Sequence, residues 1–300
     1  MASVKTVAVI GAGIMGRGIA HVAALGGYRT ILEDILPASL HKAESEIRTN
    51  LDKGVELGKL EKSAADAAFS RIQLVGTVEE AAREADLVIE AVPEEMDSKI
   101  EIFTLLDKIC RPATILASNT SSLSVTEIAS VTYRPRNCVG MHFFNPVHKM
   151  KLLEVVRALE TDDETIAAAT EVGQGMGKEV VVIKESPGFI TSRINAMIGN
   201  EAFYMLQEGI ASAEDIDKAL KLGLNHPMGP FELVDLVGLD TRLHILEYLH
   251  KALGEKFRPA PLLVQHVKAG RLGRKSGRGV FEYPDVQKNK EKSSESKLVH

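Results

Sequence analysis

The sequence predicts an α/β fold in two parts: a mostly parallel sheet with an inserted helical pair, then an all-α C-terminal domain. Three observations predict it. From Val4 to Ile183, short β-branched runs alternate with longer stretches of helical spacing, the pattern of a sheet covered by helices. After Lys184 strand character stops, and apolar residues recur only at helical spacing. A chain of 300 residues, 45% of them hydrophobic, exceeds what one ordinary core needs, so two domains are expected rather than one. The expected boundaries are 1–185 and 186–284. Residues 285–300 turn polar, dominated by Lys, Glu and Ser, and are expected to form a disordered tail.

Along the first domain, strands are expected at 4–10, 30–34, 86–92, 114–118 and 138–143, followed by 152–156 and 179–184. Helical spacing fills 14–25, 39–57, 98–109 and 163–176. The stretch between about 38 and 70 is longer and more charged than a minimal crossover, so it reads as a helical pair projecting from the sheet. Its Lys42, Arg48, Lys53, Lys59 and Lys62 read first as a solvated face. In the second domain, Ser186-Pro187 offers an N-cap followed by proline at the first helical position. Ser212-Ala213-Glu214-Asp215 resembles a capping box, and further helices are expected at 230–238, 241–253 and 261–269. These helices are apolar on several faces, which predicts a symmetric interface with a second copy, a homodimer.

The formal net charge of −5 gives no global attraction for nucleic acid or an anionic membrane. No run approaches the roughly 18 apolar residues of a membrane span. The N-terminus runs into a strand with no charged segment and long apolar core of a secretory signal. Cytoplasmic localisation is the expectation. The two cysteines, Cys110 and Cys138, have no metal-ligand spacing and are expected to be buried and reduced; no metal is expected.

The turn Gly11-Ala12-Gly13-Ile14-Met15-Gly16 carries the first functional reading. A GxGxxG pattern alone is weak, but this one follows the apolar strand Val7-Ala8-Val9-Ile10 and opens a helix. Backbone N–H groups and the positive helix end can there meet a pyrophosphate, which makes the sheet Rossmann-type. Gly11 permits the turn, Gly13 lets the backbone approach the phosphates, and Gly16 lets helix and strand pack closely. An acidic residue about twenty positions on should accept the ribose hydroxyls. Asp34 stands there, with Glu33 before it and Ile35, Leu36 and Pro37 after. A 2′-phosphate would meet carboxylates without a countercharge, so the expected cofactor is NAD.

Hydride transfer from an alcohol needs a group to take the hydroxyl proton, and histidine is the natural base near neutral pH. His21, His41, His244, His250 and His266 fall in helical stretches and read as packing or surface residues. His142 ends an apolar strand within Gly140-Met141-His142-Phe143-Phe144-Asn145-Pro146, and strand carboxyl ends are where open α/β sheets place ligands. Glu154 interrupts the apolar run Leu152-Leu153-Glu154-Val155-Val156, where an unpaired charge is costly. His142 is the obvious partner, and the pair would fix the imidazole tautomer. The alternative is a surface-facing Glu154 on an edge strand.

With these motifs in view, the chain closely resembles the NAD-dependent L-3-hydroxyacyl-CoA dehydrogenase family, which includes bacterial 3-hydroxybutyryl-CoA dehydrogenases. The resemblance runs from about Lys5 to Tyr283. Besides the glycine turn it includes Ser118-Asn119-Thr120-Ser121-Ser122, Met141 to Pro146, Lys151 to Val155, Ser186-Pro187-Gly188-Phe189, Pro227 to Leu233 and Gly273 to Gly279. It implies His142 as catalytic base and Glu154 as the carboxylate that orients it. By the same resemblance Ser121 bonds the reacting 3-oxygen, Asn145 positions nicotinamide and histidine, Glu94 and Lys99 lie near the nicotinamide half, and Lys275 lies near the cofactor cleft. The helical pair after Asp34 would contact coenzyme A, which makes Lys53 a phosphate contact. The chain departs from the pattern at Ser192, where many members carry asparagine near the substrate carbonyl; serine reaches less far.

The expected reaction is therefore reversible oxidation of a (3S)-3-hydroxyacyl-CoA by NAD. Two other readings stay open at this point. One is a sugar-acid dehydrogenase of the L-gulonate type, which shares the architecture. The other is a catalytically idle NAD-binding relative of the crystallin kind, against which the joint presence of His142, Glu154, Ser121 and Asn145 speaks.

Overall fold

A computed structural model describes residues 3–284, and the chain divides into two compact units, Met1–Ser186 and Pro187–His300. The expected tail at 285–300 lies outside the described residues.

The first unit is built on eight strands: β1 (Thr6–Ile10), β2 (Arg29–Glu33), β3 (Ile72–Val75), β4 (Leu87–Glu90), β5 (Ile115–Ser118), β6 (Cys138–Phe143), β7 (Leu152–Arg157) and β8 (Glu179–Lys184). They lie in the order β3-β2-β1-β4-β5-β6-β7-β8. Every neighbouring pair is parallel except β6 and β7. The direction of strand progression reverses between β1 and β4, which opens a crevice at their carboxyl ends.

Alternation along each strand feeds a core on either face. Val7 and Val9 enter one cluster with Ile19, Ile89 and Phe143, while Ala8 and Ile10 enter the other with Val88, Phe103 and Leu106. Covered on both sides, the inner strands read as continuous apolar runs. Two of their polar residues, Glu90 and Ser118, fall at the carboxyl ends of β4 and β5 and are fully buried.

The covering helices are α1 (Ile14–Leu25), α2 (Pro37–Glu56), α3 (Lys62–Ser70), α4 (Val78–Ala82), α5 (Met96–Ile109), α6 (Val125–Ser130) and α7 (Asp163–Gly175). The expected helical pair is α2 and α3, but it does not simply project. Ala43, Ile47 and Leu51 of α2 and Ala65 and Ala68 of α3 join the core that contains β1 and α1, because their apolar spacing forms one stripe while the charged face stays outside. Three elements were not anticipated: β3, α4 and α6. β3 is a four-residue edge strand with only Val75 buried, and the two helices, of five and six residues, are too short for apolar spacing to repeat over two turns. Their starts do carry a cap: Thr77 accepts from the Glu80 amide and Ser124 from that of Glu127.

The second unit holds α8 (Thr191–Gln207), α9 (Ala213–Gly223), α10 (Pro230–Val237), α11 (Leu239–Leu253) and α12 (Pro261–Lys268) around Phe203, Phe231, Leu246, Leu249, Phe257 and Leu263. Ser212 caps α9 by accepting from the Asp215 amide. Buried Asp217 accepts the Phe231 and Glu232 amides at the start of α10. The expected helix start at Ser186-Pro187 is corrected: α8 begins at Thr191, after Gly188 and Phe189 with φ of 74° and 51°. Two successive left-handed residues cannot begin a right-handed helix. Among the described residues no helix is long and apolar enough to cross a membrane, no His, Cys, Asp and Glu cluster could hold a metal, and both cysteines are free and buried.

Candidate active site

The glycine turn sits where β1 passes into α1. Gly11 adopts a φ of 96°, a region open chiefly to glycine. A Cβ at Gly16 would fall 1.7 Å from the Gly11 carbonyl oxygen, so the close crossing of turn and helix depends on its absence. Gly13 differs: a Cβ there would meet nothing within 4 Å. Its missing side chain therefore clears space before the start of α1, whose N-cap is Gly13 itself with no side-chain cap. Exposed amides, a positive helix end and cleared space fit a pyrophosphate. Ala12, Ile14 and Met15 complete the turn. Asp34 follows β2 and accepts the Ala12 amide on Oδ2 and the Leu36 amide on Oδ1, both at 2.9 Å. Gly11, Gly13, Ile14, Met15 and Asp34 all line one cavity of about 600 Å³.

At the carboxyl end of β6, His142 stands directly opposite Glu154 of β7 in the antiparallel register. Both are buried, at 6% and 1% exposure, and His142 Nδ1 lies 2.7 Å from Glu154 Oε2. Phe144 packs on the imidazole with ring centroids 4.4 Å apart. Glu154 is not the outward-facing edge residue that the sequence left open, because β8 pairs with β7 on its far side. The Phe143 amide donates to Asn119 Oδ1 at 3.0 Å, tying the end of β5 to the end of β6. Asn145 follows in the exposed loop after β6 and lines a smaller pocket with Ile14, Arg17 and His148.

A third group occupies the ends of β4 and β5. Lys99 of α5, 1% exposed, places Nζ 2.8 Å from Glu90 Oε1 and 3.3 Å from Glu94 Oε2. Glu90 Oε2 accepts from the Ser118 hydroxyl at 2.6 Å, and its Oε1 also accepts the Val92 amide. Glu94 Oε1 gathers the Thr120 hydroxyl, the Ser121 amide and hydroxyl and the Ser122 amide within 3.2 Å. Burial acts to raise the Glu94 pKa, but the Lys99 ammonium and the Thr120 and Ser121 donors outweigh it and hold the carboxyl below its usual range. Ser121 is thus fixed by a chain of charges that begins inside the sheet.

Glu94, Lys99 and Ser121 are brought together, as are His142 and Glu154. Of the site-building residues, Glu90 was not singled out by sequence reasoning, and Ser118, Asn119 and Thr120 entered only as parts of a matched motif with no role given to them. Glu90 carried the same sign as Glu154, a carboxylate ending an apolar run. Lys53 is exposed in the last turn of α2. In the second unit, Ser192 lies in the first turn of α8, and Lys275 binds Asp240 through Nζ at 2.6 Å.

Two family models cover the chain. Residues 6–186 match the NAD binding domain of 3-hydroxyacyl-CoA dehydrogenase, and residues 188–283 match its C-terminal domain. A probable 3-hydroxybutyryl-CoA dehydrogenase of Bacillus subtilis is 47% identical over 94% of this chain and 98% of its own length. A 3-hydroxybutyryl-CoA dehydrogenase of Bradyrhizobium diazoefficiens is 45% identical over 94% and 96%. The crystal structure of an (S)-3-hydroxybutyryl-CoA dehydrogenase from Ralstonia eutropha, 43% identical, superposes with a TM-score of 0.91 over 94% of this chain and 99% of that one.

Proposed function

The chain belongs to the 3-hydroxyacyl-CoA dehydrogenase family, NAD-dependent oxidoreductases, and from that premise we propose that it oxidises a (3S)-3-hydroxyacyl-CoA, such as 3-hydroxybutyryl-CoA, reversibly to the 3-oxoacyl-CoA. The observation that carries the reading is the buried His142–Glu154 pair at a sheet carboxyl end. With Nδ1 committed to Glu154, proton transfer falls to Nε2, which takes the hydroxyl proton in oxidation and returns it in reduction. Glu154 stabilises the imidazolium that forms. Ser121, held by Glu94, steadies the charge developing on the substrate oxygen. Bound NAD supplies the hydride acceptor.

Gly11 to Gly16 seat the pyrophosphate and Asp34 takes the adenosine ribose. Glu94 and Lys99 shape the nicotinamide end, with Asn145 orienting ring and histidine. Lys275 serves the cofactor cleft, Lys53 a phosphate of coenzyme A, and Ser192 the acyl carbonyl end. Ile190, Ile194 and Met197 of the second unit are each more than a third exposed, which supports a homodimer formed through that unit. Buried free thiols fit the reducing cytoplasm.

The test is steady-state turnover with 3-oxoacyl-CoA substrates of rising length, run with NADH and NADPH in parallel and with free coenzyme A as competitor. NADH oxidation with acetoacetyl-CoA, inhibited by coenzyme A, is expected. Turnover of L-gulonate without that inhibition would replace this reading with the sugar-acid one.

A further inference from the structure

Glu33 ends β2 one residue before Asp34 and has no part in the mechanism above. Its side chain is 2% exposed, and Oε1 is buried with no hydrogen-bond partner. An unpaired polar atom in such a place costs free energy and calls for a reason. Glu33 is one of the residues lining the 600 Å³ cavity beside the glycine turn, whose other walls include Ile35, Leu36, Val78, Val92 and Ile102. The cavity lining holds no lysine or arginine. A dinucleotide whose pyrophosphate rests on that turn lays its adenosine half into this slot.

We propose that Glu33 is a second cofactor-specificity residue, whose carboxyl meets the adenosine of NAD as the neutral acid and, with Asp34, keeps 2′-phosphorylated cofactors out. The inference rests on the reading of the glycine turn as the NAD site. A neutral carboxyl can donate its O–H to a nucleoside acceptor and accept from a hydroxyl or amino group, so a turn of the Glu33 side chain toward the slot gives its unpaired oxygen a partner in the complex.

The surroundings favour that form. Burial, followed by the charge of Asp34, pushes Glu33 up to about 7; the Gly11 amide opposes this and Glu79 of α4 adds to it. The strands on either side face Glu33 with Ile10 and Val75, so the charged groups around it are carboxylates. Adenosine covering the slot removes remaining water, and the pyrophosphate adds negative charge nearby. Both penalise the ionised form further. NAD binding therefore takes up a proton wherever Glu33 of the free protein is ionised, and affinity falls as pH rises above about 7.

The experiment is titration calorimetry of NADH into the full chain at pH 6, 7 and 8, in two buffers of different ionisation enthalpy, for the protein and for Glu33→Gln. The protein should take up a fraction of a proton that grows toward pH 8 and bind several-fold more weakly at pH 8 than at pH 6. Glu33→Gln should lose that uptake, flatten the pH profile and, at pH 8, narrow the gap between NADH and NADPH. Uptake and slope unchanged by the substitution overturn the Glu33 assignment alone. No NADH binding to either protein overturns both it and the reading of the glycine turn. A thermal melt of Glu33→Gln matching the parent shows that the comparison is made between folded proteins.

Discussion

His142 and Glu154 are direct partners in the register of β6 and β7, and their side chains close a 2.7 Å contact across that pair. The pairing of two antiparallel strands thus builds the dyad, not a flexible loop. A slip of one residue would turn one partner to the opposite face of the sheet. With β8 covering the far edge of β7, the register is held from both sides.

Breaking the dyad from either end is expected to affect chemistry more than cofactor binding. His142→Gln removes the base, and Glu154→Gln removes the charge that steadies the imidazolium. Each should lower turnover with acetoacetyl-CoA by about 10²- to 10⁴-fold, while the NADH dissociation constant, read by fluorescence titration, changes little. Near-normal turnover in either variant would remove the dyad from the mechanism.

Lys99 tests the network beneath Ser121. It is buried between Glu90 and Glu94, so Lys99→Met leaves a fully buried carboxylate without its cation. Removing one partner of a buried pair costs about 3–5 kcal/mol, and urea unfolding should show a loss of that order. The double variant Glu90→Gln with Lys99→Met should recover part of it, since no fully buried charge then remains unpaired; the part not recovered falls to Glu94, which is more exposed. A double variant as unstable as the sum of both single variants would show that the pair is not the source of the loss.

These residues also show what a sequence can convey. His142 and Glu154 were legible because a carboxylate in an apolar strand demands a partner. Glu90 sends the same message at the end of Leu87-Val88-Ile89-Glu90, but its partner is a lysine on a helix nine residues on, where nothing in the spacing distinguishes a buried ammonium from a solvated one. Glu94 and Lys99 entered through family resemblance, and their joint hold on Ser121 is a property of the folded crevice. Of the fold, the strands buried on both faces stood out as apolar runs. The edge strand β3 did not, because with one of four residues buried it has little apolar pattern to read. Phe189, in a left-handed conformation, shows a backbone choice that the Ser186-Pro187 helix-start pattern concealed.

The glycine turn separates binding from folding. A Cβ at Gly13 meets no protein atom, whereas one at Gly16 collides with the Gly11 carbonyl. Gly13→Ala should therefore melt close to the parent yet bind NADH about tenfold more weakly, equivalent to about 1.4 kcal/mol. Gly16→Ala should lower the melting temperature as well. Equal thermal losses in both variants would contradict the assignment of Gly13 to ligand space.

His21 should make the protein sensitive to acid. It is 4% exposed on α1, stacked on His148 at 5.5 Å, and its Nδ1 has no partner. Burial, then the proximity of His148 and Lys178, lowers its pKa to about 4, against about 6.5 for an exposed histidine. Between those values the unfolded chain binds a proton that the folded one refuses. Its contribution is therefore intact above pH 6.5, declines as pH falls, and is lost by about pH 4, on the order of 3 kcal/mol in all. Glu33 runs in the opposite direction, its raised value favouring the folded state at acid pH and losing that advantage as pH rises toward 7. The difference between parent and His21→Gln isolates the histidine: urea unfolding at pH 7, 5.5 and 4.5 should show the parent losing stability faster toward acid. Parallel profiles would mean that His21 is protonated in the folded protein, or is free to leave its buried position.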